Sequence, residues 1–155
     1  MLKSILCLLI FAGSTQVDTF KKEMEPLQSG VNTAVTSTSA TFTSSGQSKA
    51  TYLEGYGVIV VSEVVLEPPV NIFGSPKTSD QVKTIVAQRY QQLKDRLSVL
   101  LKQQIVKTGS VGPTESMAFI VHLSNYTRAD VPDLPKQLVI MVKKDAPDQI
   151  KLQEY

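Results

Sequence analysis

Residues 56–66 read Tyr-Gly-Val-Ile-Val-Val-Ser-Glu-Val-Val-Leu. Side chains alternate between the two faces of a strand. Val58, Val60, Val64 and Leu66 therefore share one face, and Ile59, Val61 and Val65 share the other. β-Branched residues on both faces call for cover on both sides, at least along the middle of the strand. Glu63 interrupts the pattern, open to reading as a raised-pKa acid or as a carboxylate at a sheet edge or beside a cation. Pro68-Pro69 ends the strand, because proline cannot continue the ladder.

The covering element follows directly. Thr78-Ser79-Asp80-Gln81 has the form of a capping box, in which the Thr hydroxyl and the Gln side chain satisfy orphan amides. Behind it Val82, Ile85, Val86, Tyr90, Leu93, Leu97, Leu100, Leu101 and Ile105 form one stripe at helical period. Lys83, Gln88, Gln91, Lys94, Asp95, Ser98 and Lys102 fill the other faces. The helix is expected over 80–107, with Gly109 as its left-handed stop.

Two more strands follow the turn signal Gly112-Pro113. Residues 117–123 put Met117, Phe119, Val121 and Leu123 on one face and Ala118, Ile120 and His122 on the other. Residues 138–142 are again apolar on both faces, and Asp145-Ala146-Pro147 breaks them. The expected fold class is α/β (α+β), a small three-stranded mixed sheet with one long helix packed on a face, in the order β-α-β-β. The strand-helix-strand unit implies a parallel first and second strand. The short polar loop before residue 138 suits an antiparallel third. One helix covers one face of such a sheet. The other needs the N-terminal segment, the C-terminal tail or another chain.

The N-terminus reads as an export signal. Lys3 precedes an apolar run over 5–12, and Ala12-Gly13-Ser14 offers the small residues a signal peptidase requires. That run is far shorter than the roughly twenty residues of a membrane span. The domain division is therefore 1–14 signal peptide, 15–49 Ser/Thr-rich flexible tether, 50–145 single α/β domain and 146–155 C-terminal tail. Phe20, Met24 and Leu27 carry a weak helical spacing, limited by Pro26. Ten of the sixteen residues 33–48 are Ser or Thr, a linker composition with little to bury, or else a loosely attached edge strand. The one cysteine, Cys7, lies inside the signal and lacks a lipoprotein pattern, so the mature chain has no disulfide and no Cys-based metal site. A cysteine-free exported domain favours a periplasmic or extracellular bacterial setting. The net charge of +2 gives no reason to expect nucleic acid or an anionic membrane as partner.

Candidate chemistry is sparse. His122 is the only histidine, with Ser124 two residues on and Asp130 and Asp133 in the next loop. A triad needs Ser, His and an acid to converge, and no Gly-x-Ser-x-Gly elbow is present. A structural strand histidine is the simpler reading. Zinc finds one His and no Cys in the mature chain. Asp130, Asp133, Asp145 and Asp148 lack the spacing of a calcium loop. Gly55 and Gly57 around Tyr56 suit a bulge or a close backbone approach. Asn125-Tyr126-Thr127 is a formal glycosylation sequon.

Tyr52-Leu53-Glu54-Gly55-Tyr56-Gly57-Val58-Ile59, followed by Ser62-Glu63-Val64, resembles the opening of a family of uncharacterised exported bacterial proteins. In that family a Tyr-Leu-x-Gly-Tyr-Gly-Val strand precedes a long helix and a strand pair. The resemblance spans 51–142 and implies export and bacterial origin, without an activity.

The expectation is an exported, non-enzymatic binding or assembly module with no cofactor, no metal and no residue assigned to catalysis. Its partner is an unknown protein or a second copy meeting the uncovered sheet face. The competing expectations are a small periplasmic hydrolase using His122 and Ser124, and a carrier holding a small apolar ligand between helix and sheet.

Overall fold

The computed structural model describes residues 12–38, 46–65, 78–124, 131 and 134–155. Helix α1 (Ala12–Thr38) is followed by strands β1 (Lys49–Leu53) and β2 (Gly57–Val65), helix α2 (Ser79–Lys107), and strands β3 (Ser116–Ser124), β4 (Gln137–Lys143) and β5 (Ala146–Glu154). The strands form one mixed sheet in the order β1-β2-β3-β4-β5. β2 and β3 pair in parallel across the α2 connection, and every other neighbour is antiparallel. The α+β class and the mixed sheet are as expected, but five strands and two helices replace three and one.

α2 follows its sequence closely. Thr78 caps it: the Gln81 amide donates to the Thr78 hydroxyl at 3.3 Å, and the Thr78 amide donates to the Gln81 side-chain oxygen at 3.0 Å. Val82, Val86, Tyr90, Leu93, Leu97, Leu101 and Ile105 are the buried stripe. The C-terminus differs from expectation. Thr108 closes the helix, with its amide and hydroxyl both donating to the Gln104 carbonyl at 2.9 and 2.8 Å. Lys144 adds a charged cap, donating to the carbonyls of Thr108 and Val111 at 2.7 and 2.6 Å. Gly109 is not left-handed. Its amide serves α1 instead.

A helix, not the expected flexible tether, forms over 15–38 of the segment 15–49, and residues 39–45 of that segment lie outside the described residues. α1 runs through Pro26 and buries Met24, Leu27, Val31 and Val35 in the same core as α2. Those positions, with half-buried Phe20 before them, keep the helical period into the start of the Ser/Thr-rich stretch, as far as Val35. An internal proline costs a hydrogen bond and a clash, about 3 kcal/mol. Three fully buried aliphatic side chains, Leu27, Val31 and Val35, each stabilising by about 1.5–3 kcal/mol, outweigh it, with Met24 buried beside them.

Polar contacts fix where α1 lies. The Glu23 carboxylate accepts from the amides of Gly109 and Ser110 at 3.0 and 2.9 Å, and from the Ser110 hydroxyl. Burial pushes the Glu23 carboxyl up, but these donors outweigh it and hold it below its ordinary range. Asn32 accepts from the amide and hydroxyl of Ser48 at 3.1 and 2.7 Å. The Ser48 hydroxyl in turn lies 2.8 Å from that of Ser62, whose side chain points into the core from β2. Arg96 of α2 donates to the Ser37 hydroxyl, and Phe20 meets the Tyr52 ring edge-on with centroids 5.9 Å apart.

The glycine pair makes the β1–β2 turn. Gly55 and Gly57 have φ of 76° and 117°, and the Tyr56 amide donates to Leu53 O at 3.0 Å. A Cβ on Gly57 would lie 2.1 Å from the Ser116 carbonyl oxygen. The close approach expected at this motif is therefore made by the chain's own β3, not by a ligand. At the other end the expected C-terminal tail is a strand. Asp145 sits in the tight turn that carries β4 into β5.

Candidate functional site: the open sheet face

The strand register sorts every sheet residue onto a face. Val58, Val60, Val64, Met117, Phe119, Val121, Leu123, Leu138, Ile140 and Val142 join one core cluster with both helices. Both helices therefore cover the same side. The N-terminal segment adds to cover already given by α2, and the C-terminus extends the sheet sideways. Among the described residues, neither lies over the other face.

That open face is built in rows across the strands. Thr51, Ile59, Ala118, Met141 and Lys151 are register partners in one row. Lys49, Val61, Ile120, Val139 and Gln153 form the next. Glu63, His122 and Gln137 close one end, where β2 and β3 finish. Ser116 and Lys143 pair at the opposite end. The centre is thus aliphatic: Ile59, Val61, Ala118, Ile120, Val139 and Met141. The rim is polar. Val61 is 38 % exposed in the middle of a sheet, more than a core position tolerates.

Relief at one corner adds shape. A shallow depression of about 370 Å³ lies where β3 begins, lined chiefly by Tyr56, Ser116, Met141, Lys143, Gln149 and Lys151. Burial raises the Tyr56 phenol above its ordinary pKa, so it remains a neutral donor at pH 7. Two ammonium groups and two hydroxyls over an apolar floor suit a carboxylate on a short side chain.

No protein-family model, curated protein or solved structure matches this chain.

His122 and Glu63 are register partners, both exposed at the end of the open face. Glu63 is thus at a rim, not in a buried strand face. Ser124 makes only a long contact, its hydroxyl 3.4 Å from Val64 O. Asp130, Asp133 and the sequon at Asn125 lie outside the described residues. Asp148 is 3.8 Å from Lys102 in an exposed ion pair. Among the described residues no three His, Cys, Asp or Glu side chains gather as metal ligands. No helix among them is long and apolar enough to cross a membrane. Between helices and sheet, Leu93, Leu97, Leu101, Phe119, Leu138 and Ile140 are 0 % exposed, so no water-sized void opens against them.

A cluster that sequence reasoning missed stands on the covered side. Tyr90 and Lys94 of α2 both donate to Glu154 of β5 at 2.8 Å, and the Lys94 ammonium lies 5.1 Å from the Tyr90 ring centroid. Lys94 and Tyr90 hold the Glu154 carboxyl below its usual range, while burial and Glu154 raise the Tyr90 phenol strongly. The cluster ties the edge strand to the helix. It is a clamp.

Proposed function

We propose that the protein is exported and acts as a non-enzymatic binding or assembly module whose working surface is the open face of the sheet. The observation that carries this reading is the aliphatic centre at Ile59, Val61, Ile120 and Met141, ringed by Lys49, Glu63, His122, Lys143 and Lys151. An apolar centre with a polar rim is the anatomy of a protein interface; within this one Val61 is exposed, Ile59, Ile120 and Met141 are half-buried, and Ala118 and Val139 are buried. The N-terminal pattern at Lys3 and residues 5–14 supports export. Cleavage near Thr15 would leave in place every side chain of α1 that is buried among the described residues.

Photo-crosslinking in the producing cell tests the surface. A photoreactive residue at Val61 should yield a defined adduct, and one at Gln91 on the outer side of α2 should not. Equal labelling at both positions, or none at Val61, contradicts the proposal. Mass spectrometry of the exported fraction tests the other half. A mature chain starting between Gly13 and Val17 is expected, and an intact N-terminus on soluble exported protein contradicts it. The hydrolase alternative would appear as turnover of ester, peptide or glycoside substrates that His122→Gln abolishes without unfolding.

A further inference from the structure

From the layout of the open face we infer that its occupant is a second copy of this chain, docked face to face about a two-fold axis lying in the sheet surface. The inference rests on the reading of that face as the working surface and adds who meets it.

Three observations on the face agree. The first is charge. Glu63 is the one carboxylate in the paired rows, and it sits at one corner, at the end of β2. Lys143 and Lys151 sit beyond the opposite corner, on β4 and β5 at the end where β3 begins. A two-fold axis in the face, at right angles to the line joining those corners, exchanges them. Each Glu63 then meets the other copy's lysine corner, and both ion pairs form at once, offset in part by Lys49, which lies one row in from Glu63 on β1 and is carried toward the same corner. The strands of the two sheets cross at a steep angle in this arrangement, toward the orthogonal class of sheet packing.

Shape is the second. The lysine corner is the depression lined by Tyr56, Ser116, Met141, Lys143, Gln149 and Lys151, whereas the Glu63 side chain stands exposed on its strand. A protruding acid and a concave basic pocket on the same face, at opposite corners, make that face complementary to itself. The aliphatic centre lies across the axis and meets its own copy.

The third is area. Five strands about 4.8 Å apart and about seven residues long present roughly 24 by 23 Å. Two such faces in contact bury about 1,100 Å², close to the lower limit of specific interfaces. The dimer should therefore be reversible rather than obligate. Edge pairing through β5 is a poorer route between copies, because that strand carries Pro147, Asp148, Lys151 and Glu154, residues that discourage edge addition.

Sedimentation equilibrium on the full chain, from about 1 to 200 µM, reads the association directly. The wild type should be a reversible monomer–dimer system. Glu63→Lys alone and Lys151→Glu alone should each weaken dimerisation at least tenfold, with unchanged circular dichroism and melting of the dilute monomer. Glu63→Lys and Lys151→Glu in one chain should restore the affinity to within about threefold. Val61→Asp should abolish it. Association that ignores all of these changes places the interface elsewhere and overturns the inference. A chain that stays monomeric at 200 µM but crosslinks from Val61 to a different protein in the cell also overturns it, while leaving the face as the working surface. Absence of both association and crosslinks overturns the two together.

Discussion

The two faces of this sheet come from the same strands and read alike in sequence, yet they meet different fates. On the covered face Val58, Phe119, Val121, Leu138 and Ile140 are at most 1 % exposed beneath two helices. On the open face Val61 is 38 % exposed and Ile59, Ile120 and Met141 are half-buried, although Ala118 and Val139 between them stay at 1 and 9 %. The covered face carries the stability of the domain, because each side chain there is removed from water by the chain itself. The open face contributes little to the isolated fold and holds its burial free energy in reserve for a contact. Alternation along a strand says which residues share a face. It does not say which face the rest of the chain will cover.

Charge substitutions should expose that asymmetry most strongly. Leu97→Asp buries an unpaired carboxylate under the sheet and should cost about 4 kcal/mol or more, read as loss of the folded baseline in urea titration. Val61→Asp in the dilute protein should cost about 0.5 kcal/mol or less. Comparable losses at the two positions would break the distinction between the faces.

A smaller effect tests whether α1 belongs to the covered side. Leu27 is fully buried, so Leu27→Ala should destabilise by about 2–5 kcal/mol. A segment acting as a tether would give almost none. Asn32→Ala, measured in the same titration, removes the acceptor for the Ser48 amide and hydroxyl and should cost about 1–3 kcal/mol through the donors left buried.

The smallest effect is a pH dependence. The folded Glu23 carboxyl lies below its ordinary value. Its contribution is therefore complete above the unfolded carboxyl's pKa of about 4.3 and is lost as pH falls through the lower folded value. Glu23→Gln should cost about 1 kcal/mol at pH 7, allowing for its access to solvent. That difference should shrink toward zero as the wild type is acidified below pH 4. A difference that grows with acidification would contradict the role given to this carboxylate.

Where the sequence was legible, two signals agreed. α2 had both its capping box and its stripe, and β2, β3 and β4 each had an aliphatic run bounded by Gly or Pro. α1 had the period but carried Pro26 and a run of Ser and Thr, local signals that tertiary burial overrode. β1 and β5 had almost no signal. Lys49, Thr51, Tyr52 and Leu53 are exposed, as are Asp148, Gln149, Lys151, Gln153 and Glu154, and both strands are held by their hairpin neighbours rather than by apolar content. Lys94 looked like a solvated position on a polar face, but β5 comes close enough to pair it with Glu154. The Asn32–Ser48–Ser62 network was illegible for a related reason: three small polar residues become a site only when α1, β1 and β2 meet. The unfilled face was legible as a need for cover, but not as a need that the chain's own helices would leave unmet.

Thiol labelling tests the central claim most directly. The chain's one cysteine, Cys7, falls in the segment read as the export signal, so a single engineered thiol in the mature form reports on its own position. Val61→Cys lies on the open face, and Val99→Cys, at a position 56 % exposed on α2, serves as the reference. In the purified dilute protein both should react with a maleimide at the rate of an accessible thiol. In the intact producing cell Val61→Cys should slow at least tenfold while Val99→Cys is unchanged, because a partner covers the sheet but not the helix. Equal reactivity of Val61→Cys in the two settings would mean that the open face stays open where the protein works, and the account would be wrong.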